Sequence, residues 1–324
     1  MRVSWPIATK LSREPLMKRA LTLLVAAMAL SATACSSGSS STPAAEASPA
    51  AAAGTPVAVV ASTDVYGDIV KTIGGDAVAV TSVIDNPDKD PHEYEADAQT
   101  QLAVSKAQLV VENGGGYDDF IDTMLAANSN QPTVVNVVEV SGYDQEPADG
   151  EFNEHMWYDF STMEKLATRL SSDLAAARPD QAQTFKANAS AFTEKLKQLK
   201  QGEADIKAKH SGDGVAVTEP VPGYLLDAAG LVNKTPDEFS EAIEEDSDVA
   251  PAVLKETLAL FEKKQVKLLA YNEQTTGPQT ESVLKAAQQN GVAVVPVTET
   301  LPAGETYLTW MQKNVAAVAA GVGG

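Results

Sequence analysis

The sequence predicts an α/β fold of two lobes, each with a central, mostly parallel sheet flanked by helices, joined by one long backbone helix. Three observations carry this reading. Short Val/Ile-rich runs alternate with amphipathic segments from residue 57 onward, the pattern of parallel strands linked by crossover helices. Between 180 and 209 no such run occurs. There Phe185, Phe192, Leu196, Leu199 and Ile206 fall at spacings of 7, 4, 3 and 7, one apolar stripe along a single helix. From residue 214 the alternation resumes.

Taken in order, the first lobe opens with a strand at 57–62, a helix at 65–75 closed by Gly74 and Gly75, and a strand at 77–84. A polar loop, a helix near 97–107, a strand at 108–112, a helix from 118 and a strand at 133–138 follow. Ser161 and Glu164 have capping-box spacing and predict a helix running to about 177. Past the long helix come a strand at 214–219 and a helix near 222–229. Thr235-Pro236-Asp237-Glu238 then forms a second capping box with Pro at the first helical position. A helix at 251–264, a strand at 266–272, a helix at 278–290, a strand at 292–297 and a terminal helix at 305–319 complete the chain. The divisions are a first lobe at 57–179, the linking helix at 180–210 and a second lobe at 211–324.

Composition narrows the function. The chain has 324 residues, with 44% hydrophobic and 21% charged, the balance of an ordinary globular protein. A formal charge of -20 opposes binding to nucleic acid, which runs on clustered Lys and Arg. The single Cys excludes a disulfide framework, a redox pair or a multi-Cys zinc cluster.

The N-terminus reads as a targeting device. Lys18 and Arg19 precede an apolar run from Ala20 to Ala34, too short to span a bilayer, which needs about 20 residues, but suited to a secretory signal. Residues 1–34 are thus a signal peptide, with Met17 an alternative start. Small residues lead into Cys35 as in a bacterial lipobox, with Ala32 where Leu is usual. Such a Cys is diacylated and becomes the mature N-terminus, which anchors the protein to the outer face of the cell membrane. Loss of the leader removes five positive residues and one negative, leaving 19 against 43 and a charge of -24. Residues 35–56 then form a lipidated, disordered tether that reaches about 25 Å.

Of the three His, His92 and His155 sit in motif-like surroundings: Asp90-Pro91-His92-Glu93-Tyr94-Glu95 and Asn153-Glu154-His155-Met156-Trp157-Tyr158-Asp159. Their 63-residue separation matches no short metal motif. His92 and Glu219, however, each follow a predicted strand, where ligands of open α/β sheets collect. His210 lies in a polar turn, Gly114-Gly115-Gly116 lacks the Lys-Ser/Thr of a phosphate loop, and Trp157 reads as packing beneath the site.

These motifs and the whole layout of 57–320 resemble the zinc/manganese-binding lipoproteins of bacterial ABC importers, the cluster A solute-binding proteins. The first family motif, D-P-H-x-Y-E-P, departs only at Ala96. The second, N-P-H-x-W-L-D-P, keeps its His and Trp. The resemblance implies that His92 and His155 are metal ligands from the first lobe. Thr218-Glu219 and Tyr224 fit the family's T-[HE]-x-x-x-x-Y, which implies Glu219 as the third ligand and resembles the manganese-type members. Those members place an Asp in the loop after the next strand. Here that loop is Tyr271 to Gly277 and Glu273 is its only carboxylate, so Glu273 or a water completes the shell. The acidic stretch from Asp144 to Glu154 stands where zinc-type relatives carry a His-rich loop and has no His.

The resemblance implies a monomeric, extracytoplasmic carrier, not an enzyme. Its transported ligand is a divalent Zn2+ or Mn2+, and its partners are a membrane permease and a cytoplasmic ATPase. The alternative is a surface zinc-dependent hydrolase with a shell of two His and one Glu. HExxH and a third motif His are both missing from the sequence.

Overall fold

The computed structural model describes residues 54–86, 94, 97–148 and 150–323. Cys35, the leader and nearly all of the tether lie outside the described residues, as does His92.

Each expected Val-rich run forms a strand. The first lobe comprises β1 (Val57–Thr63), α1 (Asp64–Gly74), β2 (Val78–Ile84), α2 (Ala98–Lys106), β3 (Leu109–Glu112), α3 (Asp119–Ala126), β4 (Thr133–Asn136), α4 (Val137–Ser141) and α5 (Phe160–Ala177). A single-turn helix leads into α6 (Ala182–His210), the 29-residue linking helix. The second lobe comprises β5 (Gly214–Val217), α7 (Gly223–Ala228), β6 (Val232–Asn233), α8 (Asp237–Glu244), α9 (Pro251–Glu262), β7 (Leu268–Asn272), α10 (Pro278–Gln289), β8 (Ala293–Val297) and α11 (Tyr307–Gly323). The strand orders are β2-β1-β3-β4 and β6-β5-β7-β8, and the pairings within both sheets are parallel. All strands of a lobe therefore end on one edge, which is where the site lies.

Both faces of each sheet are covered, as parallel sheets require. Val59, Ala61, Leu109 and Val111 point to an inner core, while Val60 and Val110 join Ile121 and Met124 on the outer face. The second sheet repeats the alternation, with Val215, Val217, Leu268 and Ala270 inward and Ala216 and Leu269 outward against Phe239 and Phe261. The inner core is continuous across the lobes. Its spine is the stripe Phe185, Phe192, Leu196, Leu199 and Ile206 of α6, all buried. Each such side chain contributes about 1.5–3 kcal/mol. Gly202 brings α6 close to α11, since a Cβ there would stand 2.7 Å from Val315 Cγ1.

The chain after β8 straps the lobes together. Leu301 N–H donates to Asp64 Oδ1 at 3.1 Å and Tyr307 N–H to Asp68 Oδ2 at 2.8 Å, both acceptors on α1. Tyr307 Oη donates to Trp157 O at 2.7 Å, and Tyr158 Oη to Thr298 O at 3.0 Å. Burial pushes the Asp64 carboxyl up to about 6, although the Leu301 amide opposes the shift.

Three local expectations change. The α5 cap is Asp159, whose carboxylate accepts from the amides of Ser161 and Thr162, so no Ser161 capping box forms. Thr235 does not cap α8; its Oγ1 bonds both the amide and the carbonyl of Val217, tying the segment after β6 to β5. The strand expected to 138 stops at Asn136, whose Oδ1 accepts from Glu139 N–H and starts α4.

Glu203 is buried on the spine helix, and its carboxyl is pushed up to about 8, first by burial and then by Asp159, with Lys200 opposing. The folded state thus prefers the protonated form. Its contribution is fully present below the ordinary carboxylate value and is lost as pH rises through about 8. Glu203→Gln should therefore raise the melting temperature at pH 8.5 by several degrees and leave it nearly unchanged at pH 4.5. Calorimetry at the two pH values checks this.

Candidate metal centre

The site is built on loops at the strand ends. His155 precedes a single helical turn, Met156–Tyr158, and is fully buried. Asn153 sets its orientation. Asn153 Oδ1 accepts from the His155 backbone N–H at 3.0 Å and faces Nδ1 at 2.9 Å, while Asn153 Nδ2 donates to Pro220 O at 2.9 Å. The amide and carbonyl partners fix which end of the Asn153 side chain is oxygen. An oxygen beside Nδ1 means that Nδ1 carries the proton and Nε2 presents a lone pair to the site. The ring is walled by Trp157 at 5.1 Å and Tyr117 at 6.1 Å, centroid to centroid. Asn153 also joins the lobes through its carbonyl, which accepts from Tyr224 Oη at 2.6 Å.

Carboxylates from both lobes converge on this nitrogen. Among the described residues, Glu154, His155 and Glu244 bring ligand atoms to within 4.8 Å of one another. Glu244 Oε1 stands 3.5 Å from His155 Nε2. Glu219, buried, follows β5 directly after Thr218, whose Oγ1 accepts from Asn272 N–H at 2.9 Å and holds β5 against β7. Glu299, also buried, lies just past β8 and accepts from Asn272 Nδ2 at 2.9 Å and Tyr117 Oη at 3.3 Å. Burial, followed by the charges of Glu154, Glu299, Glu219 and Glu151, pushes Glu244 up to about 10. Burial, followed by Glu151, brings Glu154 to about 7. Carboxylates held this close and this dry suit a divalent cation, and neutral imidazole with carboxylate oxygen is a donor set for Zn2+ or Mn2+.

Of the residues expected from sequence, His155 and Glu219 lie at the strand-end edges and His92 lies outside the described residues. Glu273 is exposed, with its amide bonded to Val297 O. The structure does not bring it to the cluster. Glu154, Glu244 and Glu299 were missed. Glu299 follows a predicted strand, the same signal that singled out Glu219, whereas Glu244 belongs to an acidic helix end with no metal spacing. His210 is remote from the cluster; it pairs with Asp213 at 3.1 Å and lines a separate cavity of about 660 Å³ between α6 and α11.

The class is set by fold and site together: two parallel-sheet lobes on one spine helix, with His155, Glu154 and Glu244 gathered as a candidate metal centre. The chain belongs to the ZnuA family, zinc-uptake complex component A, periplasmic, whose family model matches residues 59–321. It is 30% identical over 152 residues to the manganese-binding lipoprotein MntA of Halalkalibacterium halodurans, covering 46% of this chain and 49% of that one. It is 23% identical over 269 residues to the zinc-binding lipoprotein AdcA of Streptococcus pneumoniae, covering 78% and 53%. The matched stretch thus spans about half of each of these relatives. Among solved structures, the periplasmic zinc-binding protein TroA of Treponema pallidum superposes with a TM-score of 0.69 at 20% identity, covering 83% of this chain and 99% of that one.

Because Asn153 both orients His155 and bridges to Pro220, Asn153→Ala should weaken Zn2+ binding about 10–100-fold in a chelator competition titration. The far-UV spectrum should remain that of the wild type.

Proposed function

We propose that this protein is the extracytoplasmic solute-binding component of an ABC importer. It captures divalent Zn2+ or Mn2+ between its lobes and delivers the ion to a membrane permease driven by a cytoplasmic ATPase. The observation that carries this reading is the convergence on buried His155 of half-buried carboxylates from both lobes, Glu154 and Glu244. The names of its relatives, zinc- and manganese-binding lipoproteins, support the same cargo.

In this reading His92, His155 and Glu219 hold the ion. The fourth position, assigned from sequence to Glu273 or a water, is better served by Glu299, whose oxygens Asn272 and Tyr117 already orient. Glu273 would serve only if its exposed side chain turned inward. Each ligand binds in its deprotonated form, so affinity falls in acid. Zn2+ binds more tightly than Mn2+ to such a set, and supply and geometry decide which is carried. No observation favours the hydrolase alternative.

The anchor is assigned to Cys35, outside the described residues, and the relatives' designation as lipoproteins supports it. Among the described residues no helix is long and apolar enough to cross a membrane. The protein works as a monomer on its tether at the outer face.

Metal analysis of protein purified without chelator should find about one Zn2+ or Mn2+ per chain. His92→Ala and His155→Ala should each weaken binding by more than about 100-fold, whereas His210→Ala should stay within twofold. Tight stoichiometric binding in both of the first two variants would sink the assignment. Cys35→Ser should move the protein from the membrane fraction to the soluble one and abolish labelling by radioactive fatty acid.

A further inference from the structure

Glu244 reaches the site from an element that the sequence gives no part in metal binding, the C-terminal end of α8. Its distance to His155 is informative. Two donor atoms each about 2.1 Å from one ion, at the tetrahedral angle, stand about 3.4 Å apart. Nitrogen and oxygen sharing a proton stand about 2.7–3.2 Å apart. The observed 3.5 Å between His155 Nε2 and Glu244 Oε1 fits the first case and not the second. Glu244 Oε1 is buried and takes no hydrogen bond from the described residues. Besides the imidazole of His155 at 3.5 Å, the acidic groups Glu154, Glu299, Glu219 and Glu151 crowd this carboxyl, and a divalent ion neutralises such a crowd.

Position adds a second argument. Glu244 and Glu154 line a cleft of about 630 Å³, whose wall also carries Glu151, Asp237, Glu241 and Glu245 and, among the described residues, no Lys or Arg. His155 and Glu219 are not in that wall. An ion drawn into the cleft by this field meets Glu244 and Glu154 before it meets the imidazole.

We propose that Glu244 is a further ligand of the transported ion, supplied by α8, and the one that passes the ion between the acidic cleft and the buried His155. This rests on the metal-capture reading above. An added carboxylate oxygen raises the coordination number and favours Mn2+, which takes oxygen ligands readily, over tetrahedral Zn2+.

The test uses the full chain, stripped of metal and titrated with Mn2+ by electron paramagnetic resonance, with Zn2+ by chelator competition and with Co2+ by visible absorption. Glu244→Gln, nearly isosteric, should weaken Mn2+ at least about 30-fold and Zn2+ no more than about fivefold. It should also intensify the Co2+ bands as coordination number drops, and raise the melting temperature of the metal-free protein because one carboxyl leaves the crowd. Glu244→Asp should retain part of the Mn2+ affinity, and Glu262→Gln, at an exposed position on α9, should match the wild type. The inference is overturned if Glu244→Gln keeps wild-type Mn2+ affinity and Co2+ spectrum while His155→Ala loses binding, for Glu244 then only lines the cleft. Weak binding of every ion by the wild type would instead overturn the metal-capture reading, and this one with it.

Discussion

The structure depends on a constraint set by α6: the two lobes share one hydrophobic core. Phe185, Phe192, Leu199 and Ile206 all belong to that core, Phe192 packs against Tyr307 of α11, and α11 lies so close to the helix that Gly202 has no room for a Cβ. Lobes built this way cannot swing apart without exposing the stripe to water, at about 1.5–3 kcal/mol for each large side chain. Adaptation to a ligand is therefore left to loops and side chains at the strand ends. The distribution of roles follows. Strands and the spine supply position, and short segments such as 153–155, 218–219 and 298–300 supply chemistry.

Within that frame the site carries opposed requirements. Asn153 makes His155 a competent donor by holding the proton on Nδ1, and its contacts to Pro220 and Tyr224 couple this orientation to the packing of the second lobe. Glu154, Glu219, Glu244 and Glu299 are held where they repel one another, which weakens the metal-free fold. A protein selected for stability alone would replace several of them. Crowding of this kind is relieved when a counter-charge comes from outside the chain.

Much of this was legible in the sequence because it depends on short-range pattern. Strand and helix alternation, the α6 stripe and the His155 surroundings are local, and each element expected of both lobes is present. What was not legible depends on longer-range packing. Capping signals were assigned to Ser161 and Thr235 by spacing, but Asp159 offers a charged acceptor two residues earlier and Thr235 is diverted to Val217, a partner 18 residues away. Glu273 or a water was the expectation for the fourth position; Glu273 is exposed, whereas Glu299, in the loop after the neighbouring strand, is buried and accepts from Asn272, a difference set by tertiary packing. Glu244 depends on how α8 packs on the outer face of the second sheet through Phe239 and Ile243, which no periodicity encodes.

The strap between α1 and the segment after β8 also bears on how the chain is made. Asp64 and Asp68 emerge early, but the amides that satisfy them belong to Leu301 and Tyr307, separated from them by 237 and 239 residues. Until those residues follow, two desolvating carboxylates at the head of α1 face water or each other. The first lobe can assemble its sheet during synthesis, but it acquires its native boundary only when the C-terminal helix arrives. Contacts of such long sequence separation are slow to close, so the newly made chain passes through an interval in which its first lobe is unfinished.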